Sequence, residues 1–502
     1  MSLIKSDSTI GVIGAGTMGA GIAQVAAKAG HPVLLFDAME GAGQRGREGI
    51  AKGLSRLVER EKMSQAEVDA LVGRVQVIDS LEDMAPAALV IEAIVERLDI
   101  KQQVFADLER ICGEDVIIAT NTSSISVTAI GSSLKRPQNL VGMHFFNPAP
   151  VMKLVEVISS LDTDPAIAET IYQLSERWGK KPVHAKSTPG FIVNRVARPF
   201  YAEGFRILQE GGADIATIDA LLKECGGFRM GPFELTDLIG HDVNYAVTCS
   251  VFAAYYQDQR FLPSLIQQEL VSAGYFGRKS GKGFYDYREG AEKPLPQNAA
   301  AAPAPGQVTI EGDLGVAEPL VALFENAGIS VHRTEGTGAI VTGGVTLKLS
   351  NGQFSTARAQ SANNPDLIQF DLALDYAKAT RIALAPADQA SESAISAASG
   401  LFQAIGKNVS IIDDIPGMVV MRTVCMLANE GFDAVNQQVC NEQAVDTAME
   451  GGVNYPCGPL RWAHNIGLKN VLNTLDNLAG TYGEDRYRTS PLIRRKVAGG
   501  QK

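Results

Sequence analysis

Along this 502-residue chain the spacing of apolar and polar positions changes period several times, and each change marks a boundary between elements. Residues 9–13 (TIGVI) form a short apolar, β-branched run that stops at glycine. Residues 18–29 (MGAGIAQVAAKA) space small and apolar residues as a helix closed by Gly30. A second buried strand is predicted over 33–37 (VLLFD), then a long polar helical stretch over 44–72 interrupted near Met63 and Ser64. Further strands are predicted at 75–78, 89–95, 116–120, 140–145 and 154–158, with helical patterns between them. This alternation implies a mostly parallel sheet covered by helices on both faces.

From Pro189 to about residue 285 strand signals vanish and helical ones dominate, including 191–209 and 243–257. Residues 291–306 (AEKPLPQNAAAAPAPG) cannot build a core and read as a semi-extended linker. Short β-like runs at 339–349 and 367–374 mark a small α/β region over 307–413, to which the sequence assigns no role. Residues 189–240 and 416–467 then align without a gap at an offset of 227 residues. Pro189, Gly190, Arg195, Glu203, Gly204, Phe205, Asp219, Gly231, Pro232 and Gly240 recur as Pro416, Gly417, Arg422, Glu430, Gly431, Phe432, Asp446, Gly458, Pro459 and Gly467. The expected organisation is an α/β domain over 1–188, a helical domain over 189–290, the linker, the small α/β region, and a second, degenerate helical copy over 414–502.

A composition that is 45% hydrophobic and 20% charged excludes a disordered chain. The formal charge of −11 disfavours nucleic acid as a partner, although a small phosphorylated ligand needs only a few local donors. No signal-peptide pattern opens the sequence and no run of 18 apolar residues exists, so neither export nor a membrane span is expected. The six cysteines form no CxxC pair, which predicts reduced thiols, a cytoplasmic location and no metal site.

Gly14, Gly16 and Gly19 form G-A-G-T-M-G, with Ala15, Thr17 and Met18 between them, at the junction of the first strand and first helix. The first glycine permits the tight turn and the second lets backbone approach a pyrophosphate. The third lets helix pack on strand, while the helix N-terminus offers N–H donors to the anion. In that context the hexapeptide reads as a Rossmann dinucleotide site. Asp37 ends the second strand 18 residues beyond Gly19, where a carboxylate accepts from the ribose hydroxyls and repels a 2′-phosphate. NAD is therefore the predicted cofactor.

The segment HFFNPAPVMKLVEV (144–157) places His144 and Glu156 on consecutive strands joined by a proline-containing turn. Such a hairpin can bring the carboxylate to one imidazole nitrogen and leave the other to face a substrate. Oxidation of an alcohol by NAD requires removal of the hydroxyl proton, which an imidazole does well near neutral pH. The carboxylate would fix the tautomer. His31, His184, His241, His332 and His464 have no such partner in sequence and read as structural. Residues 116–124 (VIIATNTSS) run a buried strand into a polar cluster at the sheet edge where α/β folds bind ligands. There Ser123 could bond a substrate oxygen and Asn121 the nicotinamide end of NAD, or the cluster could simply cap a helix. Asn194, in PGFIVNR, either packs inside or points to a cleft.

With NTSS at 121–124, HFFNP at 144–148, LVEV at 154–157 and PGFIVNR at 189–195, the chain resembles the L-3-hydroxyacyl-CoA dehydrogenase family over about 9–287. The resemblance implies a catalytic His144–Glu156 pair assisted by Ser123 and Asn194 at the substrate oxygen. It also implies NAD contacts at Glu96, Lys101, Asn121, Asn147 and Lys279, an acyl-CoA thioester as substrate, and a role in β-oxidation-type fatty acid chemistry. Within the family, NTSSISVTAI (121–130), PGFIVNRVARPFY (189–201), ELTDLIG (234–240), RFLPSL (260–265) and the extra repeat are similar to the phenylacetate-degradation branch. That branch implies 3-hydroxyadipyl-CoA; the branch acting on 3-hydroxybutyryl-CoA is the alternative. Arg60 and Lys62, in the basic helical stretch after Asp37, are candidates for CoA phosphates, with a solvated basic face as the competing reading. Rossmann reductases of hydroxy or imino acids would explain GAGTMG but not the histidine–glutamate hairpin, and a non-catalytic NAD-binding assembly protein would not need it either. The second helical copy, with Met421 opposite Asn194 and no GxGxxG of its own, is expected to pack on the first as an intrachain pseudo-dimer, whether or not whole chains associate into a homo-oligomer.

Overall fold

In the computed structural model, which describes residues 4–501, the chain divides into two compact units. One comprises the residues up to Arg195 together with Gln437–Val453; the other comprises Val196–Asn436 and the chain from Asn454 onward.

Eight strands build the first unit: β1 (Ile10–Ile13), β2 (Val33–Phe36), β3 (Val75–Val77), β4 (Leu89–Glu92), β5 (Ile117–Thr120), β6 (Leu140–Phe145), β7 (Leu154–Ser159) and β8 (Lys181–Lys186). Their order is β3-β2-β1-β4-β5-β6-β7-β8. All neighbours run parallel except β6 and β7. β1, β4, β5 and β6 are buried throughout, which is why they read as continuous runs rather than as alternation. β8 was not predicted, because in KPVHAK only Pro182, Val183 and Ala185 are buried. The break in the polar helix is a capping box: Ser64 accepts from the Glu67 N–H, and the Glu67 carboxylate accepts from the Ser64 N–H.

The helix Glu442–Val453 belongs to this unit and packs on β7 and β8. It buries Ala444, Val445, Ala448 and Met449, and a Cβ on its Gly452 would lie 2.6 Å from Leu154. The Lys186 N–H donates to the Val439 carbonyl at 2.9 Å. Within the expected 414–502 copy, residues 437–453 thus cluster with the first sheet and pack on β7 and β8.

In the second unit the helices Arg198–Gln209 and Val420–Asn436, equivalent in the repeat, pack on each other. Arg422, fully buried, donates to Glu203 at 2.6 Å, to Glu210 at 2.9 Å and to the Tyr482 and Tyr487 hydroxyls at 2.8 Å. Burial alone would raise the Glu203 pKa, but the Arg422, Arg486 and Arg206 charges hold it below the ordinary carboxylate value.

The same unit contains a second sheet of β9 (Gln307–Glu311), β10 (Ser330–Thr334), β11 (Ala339–Thr342), β12 (Val345–Leu349), β13 (Leu367–Phe370), β14 (Arg381–Pro386) and β15 (Asn408–Ile411). Its order is β10-β9-β11-β12-β13-β14-β15. The antiparallel pairing Phe370–Leu384 repeats Met143–Val157, and the parallel pairing Arg381–Asn408 repeats Leu154–Lys181, at the same 227-residue offset as the helical repeat. Even the intervening helices correspond, Pro165–Arg177 with Glu392–Ala404. Residues 307–413 are thus a reduced copy of the first sheet, with no counterpart of β3 and with β11 antiparallel to β9 where β4 is parallel to β1. The first-copy helix Ile215–Glu224 packs on β14, where Glu224 pairs with Arg381 at 3.1 Å.

Residues 291–306 have no regular structure but are not a free spacer. The Ala299 N–H donates to the Val409 carbonyl at 2.7 Å, the Ala302 N–H to Gln403 at 2.9 Å, and the Gln297 carbonyl accepts from Ser410 at 2.8 Å. Lacking internal hydrogen bonds, the proline-rich segment meets its polar requirements on the second sheet.

Removing one partner of the buried Arg422–Glu203 pair leaves a charge without compensation. Arg422→Met should lower the unfolding free energy by about 3–5 kcal/mol, and adding Glu203→Leu should recover part of the loss. Urea denaturation of the two variants checks this; an Arg422→Met midpoint equal to the parent's would show that the pair does not hold the helices together.

Candidate active site

β1 runs into the glycine-rich turn and then into the helix Thr17–Lys28. Gly14 has φ +96°, and a Cβ there would lie 2.4 Å from the Ala93 carbonyl oxygen, so only glycine fits. At Gly19 a Cβ would fall 1.7 Å from the Gly14 oxygen, which is the close helix–strand approach expected of the third glycine. Gly16, at the helix N-cap, is open, with nothing within 4 Å of where its Cβ would be. Beside this turn lies a cleft of about 520 Å³ lined by Ala15, Gly16, Thr17, Gln24, Asp37 and Arg45 among others. Asp37 accepts from the Ala15 N–H at 2.7 Å and the Met39 N–H at 2.9 Å. A carboxylate has further lone pairs, so these bonds aim the group and leave it capacity for ribose hydroxyls. Free helix N–H groups, an open glycine and an acid at the end of β2 fit a nicotinamide dinucleotide. Met18, within the hexapeptide, is half-buried against the core.

A buried ion network supports the polar segment after β5. Glu92 at the end of β4 accepts from the Ile94 N–H at 2.7 Å, Thr120 at 2.8 Å and Lys101 at 2.6 Å, with both ionic side chains almost wholly buried. Lys101 also reaches Glu96 at 3.2 Å. Glu96 in turn accepts from the Thr122 hydroxyl at 2.6 Å, the Ser123 N–H at 3.0 Å and the Ser124 N–H at 3.1 Å. Burial would raise its pKa, but Lys101 and the bonds from Thr122 and Ser124 hold it below the ordinary value. Asn121 accepts from the Phe145 N–H at 2.8 Å and so ties the end of β5 to β6. Glu92, Thr120 and Thr122 were not anticipated from sequence, although an acid ending an apolar strand such as LVIE is a signal of a buried charge.

His144 and Glu156 are direct cross-strand partners in the β6–β7 pair, so their side chains share a face. His144 Nδ1 lies 2.6 Å from Glu156 Oε2, and Phe146 and Phe191 pack on the ring. The other carboxylate oxygen accepts from the Ile192 and Val193 N–H groups, both at 3.0 Å. These belong to the turn in which Gly190 and Phe191 take positive φ, and the next residue, Asn194, donates to the Ser123 carbonyl at 3.4 Å. Four residues predicted from separate motifs are therefore linked in one unit. Asn147 is exposed beside the cis Asn147–Pro148 bond. Arg60 and Lys62 are exposed in the turn after the helix Ala42–Val58 and do not line the cleft near Asp37. Lys279 lies in the second unit, paired with Asp242 at 2.6 Å.

The remaining histidines occupy structural settings. His31 bonds the Ser8 carbonyl at 3.0 Å, and burial lowers its pKa. His184 stacks on Tyr172 and, against expectation, lies 3.4 Å from the half-exposed Glu169 carboxylate, while His332 and His464 are exposed. His241 corrects the expectation that it lacks an acidic partner: its Nε2 lies 2.7 Å from Asp237, four residues earlier across the break at Gly240 between two helices. Asp237 also accepts from the Phe284 and Tyr285 N–H groups and the Tyr287 hydroxyl, so this pair is closed into the core.

At the 227-residue offset, Asp371 stands where the first copy has His144, Ala383 where it has Glu156 and Met421 where it has Asn194. Asp371, its pKa pushed up to about 6 by burial, accepts from the Val419, Val420 and Met421 N–H groups at 2.7–3.0 Å. Gly417 and Met418 repeat the positive φ of Gly190 and Phe191. The second copy keeps the turn and its carboxylate cap and lacks the imidazole.

Residues 9–188 match the family described as 3-hydroxyacyl-CoA dehydrogenase, NAD binding domain. Residues 190–287 and again 417–502 match its C-terminal domain, and 347–416 match the 3-hydroxybutyryl-CoA dehydrogenase reduced Rossmann-fold domain. The chain is 44% identical over 490 residues to 3-hydroxyadipyl-CoA dehydrogenase of Escherichia coli (strain K12), covering 97% of each. It is 41% identical over 280 residues to 3-hydroxybutyryl-CoA dehydrogenase of Clostridioides difficile, covering 56% of this chain and 99% of that one. The crystal structure of a 3-hydroxybutyryl-CoA dehydrogenase from Escherichia coli K12 matches with a TM-score of 0.90 at 42% identity, covering 99% of this chain and 100% of the other. The chain belongs to the 3-hydroxyacyl-CoA dehydrogenase family. It is an NAD-dependent oxidoreductase of 3-hydroxyacyl-CoA thioesters. Among the described residues no helix is long and apolar enough to cross a membrane.

Lys101→Met would leave Glu92 buried without its cation. The variant should lose about 3 kcal/mol of stability and bind NADH more weakly as the Glu96-capped turn loosens, read by thermal unfolding and by NADH fluorescence. Parent-like values for both would show that Lys101 does not support the cofactor side of the site.

Proposed function

We propose that this enzyme oxidises 3-hydroxyadipyl-CoA to 3-oxoadipyl-CoA, with His144 taking the hydroxyl proton. The 2.6 Å contact between His144 Nδ1 and Glu156 carries the chemical part of this reading. With Nδ1 committed to the carboxylate, Nε2 is the nitrogen left to accept a proton, and Glu156 stabilises the imidazolium that results. Ser123 and Asn194 flank the substrate oxygen and orient it toward the imidazole. Bound NAD supplies the hydride acceptor. The Gly14–Gly19 turn holds its pyrophosphate, Asp37 its ribose, and Glu96, Asn121 and Asn147 frame its nicotinamide end, with Lys101 acting through Glu96. Arg60 and Lys62, cations open to solvent, are assigned to the CoA phosphates, and Lys279 is assigned to NAD.

Support for the adipyl chain is the full-length similarity to the Escherichia coli 3-hydroxyadipyl-CoA dehydrogenase, duplicated half included, where the Clostridioides difficile 3-hydroxybutyryl-CoA relative matches only 56% of this chain. The full-length crystal structure described as a 3-hydroxybutyryl-CoA dehydrogenase favours the second reading, a four-carbon substrate. We also infer that the two helical copies act as an intrachain pseudo-dimer, supported by the packing of Arg198–Gln209 on Val420–Asn436 and by the buried Arg422–Glu203 pair. Six free cysteines suit a cytoplasmic enzyme in a phenylacetate-type catabolic route.

Steady-state assays of NADH formation test the reading. The enzyme should show a kcat/KM for 3-hydroxyadipyl-CoA about tenfold or more above that for 3-hydroxybutyryl-CoA, and the reverse order would favour the four-carbon substrate. His144→Ala should lower kcat about 10²- to 10⁴-fold with NAD affinity nearly intact, while His184→Ala should not; near-parental turnover by His144→Ala would remove the imidazole from the mechanism.

A further inference from the structure

The second unit contains a cleft of about 180 Å³ lined entirely by its own residues. Arg198, Arg206, Arg260 and Arg486 line it and no acidic side chain does, while Phe205 and Phe261 supply part of its apolar wall. Three of the four cations are occupied. Arg198 donates to the Thr248 hydroxyl at 2.9 Å and lies over the Tyr201 ring. Arg206 pairs with Glu484 at 2.9 Å, and Arg260 with Asp433 at 2.9 Å and Glu430 at 3.2 Å. Arg486 differs. It is only 5% exposed, it approaches Glu484 no nearer than 3.8 Å, and its guanidinium makes no hydrogen bond to any described residue. Burial lowers its pKa, with the Glu203 and Glu484 carboxylates opposing the shift and Arg206 adding to it. Folded chains leave few buried donors unmade, because each has given up the water that it bonded in the unfolded chain.

We infer that this cleft is a binding site for a short, free aliphatic carboxylate, with the Arg486 guanidinium as the ligand of its charge. A planar fork of N–H donors matches the two oxygens of a carboxylate, and a wall of guanidinium groups without an acid repels a cation. Volume limits the rest of the molecule. A cavity of roughly 150 Å³ holds one benzene ring, so this cleft takes a chain of about four to six carbons and leaves no room for a nucleotide. Phe205 and Phe261 bury methylenes, which a bare inorganic anion does not have. Arg486 lies in the turn Asp485–Tyr487 of the second helical copy, and Phe205 and Arg206 lie in the first-copy helix Arg198–Gln209. An occupant touching both braces the two copies, and because the unfolded chain lacks the site, binding stabilises the fold. At the 227-residue offset Gln259 stands for Arg486 and Asp433 for Arg206, so the repeat does not reproduce this charge.

The test is titration of pentanoate into the full-length enzyme, followed by calorimetry and by thermal unfolding, with pentanamide and inorganic phosphate as comparison ligands. The variants are Arg486→Gln, which removes the charge, and Ala202→Leu, which narrows the cleft from the helix Arg198–Gln209 and leaves the charge in place. Pentanoate should bind once per chain and raise the melting temperature by about 2–4 °C at a concentration tenfold above its Kd. Pentanamide, which has the same shape without the charge, should not. Arg486→Gln should weaken pentanoate binding about 10- to 100-fold, and Ala202→Leu should weaken it as well. No binding to the parent, equal binding of pentanamide, or tighter binding of phosphate than of pentanoate would overturn the assignment. Undiminished pentanoate binding in Arg486→Gln would place the carboxylate elsewhere and overturn it too. Should Arg486→Gln fail to fold by circular dichroism, Ala202→Leu decides alone: weakened binding supports the cleft as the site, and undiminished binding refutes it.

Discussion

Glu156 has two oxygens and three partners, all of them buried with it. One oxygen meets His144 Nδ1, and the other accepts the N–H groups of Ile192 and Val193. Each of these groups has left water, so the bonds are strengthened by the low local dielectric, and each would be costly to leave unmade. The carboxylate thereby ties the imidazole on β6 to the chain that turns toward Asn194. That turn passes through Phe191 at φ +46°, a conformation that costs a non-glycine residue roughly 1–2 kcal/mol and persists only where surrounding contacts enforce it. The His144 imidazole and the Asn194 amide are therefore placed by the same group.

The second copy shows which part of this arrangement belongs to folding and which to chemistry. Gly417 and Met418 repeat the strained turn, and Asp371 caps it from the strand position that His144 occupies in the first copy. Moving the carboxylate one strand over leaves no place for an imidazole, and Met421 replaces the amide. What the duplicate retains is surface. Its helix Glu442–Val453 lies on the first sheet, and the equivalent first-copy helix, Ile215–Glu224, lies against the second. Each copy thus places the equivalent helix on the other copy's sheet.

Much of the site is legible in the sequence because its determinants are local. A glycine triad between strand and helix, an acid at the end of the next strand, and a histidine and a glutamate separated by a proline-containing turn all depend on neighbours in the chain. The network behind them is not local. Lys101 enters the sequence reading only as an NAD contact implied by the resemblance, and the fold places it buried between Glu92 and Glu96. The same limit hid the Asp237–His241 pair, where the break at Gly240 between two helices brings the acid to the ring. β8 was missed because an edge strand with exposed Lys181, His184 and Lys186 has no apolar run. The second sheet was seen only in part, since its repeat preserves register and element length while nearly every side chain differs. Pairing geometry, which is blind to residue identity, makes that relation visible.

The central claim is that Glu156 sets the imidazole as a proton acceptor, and Glu156→Gln separates that role from simple support of the turn. The amide oxygen can still accept from Ile192 and Val193, so the fold and NADH affinity should survive. The amide nitrogen, however, can only donate to Nδ1, which forces the proton onto Nε2 and removes the acceptor. The account predicts a kcat about 10³- to 10⁴-fold below the parent, with a melting temperature and an NADH dissociation constant close to the parent's. A Glu156→Gln enzyme turning over at near-parental rate would contradict it.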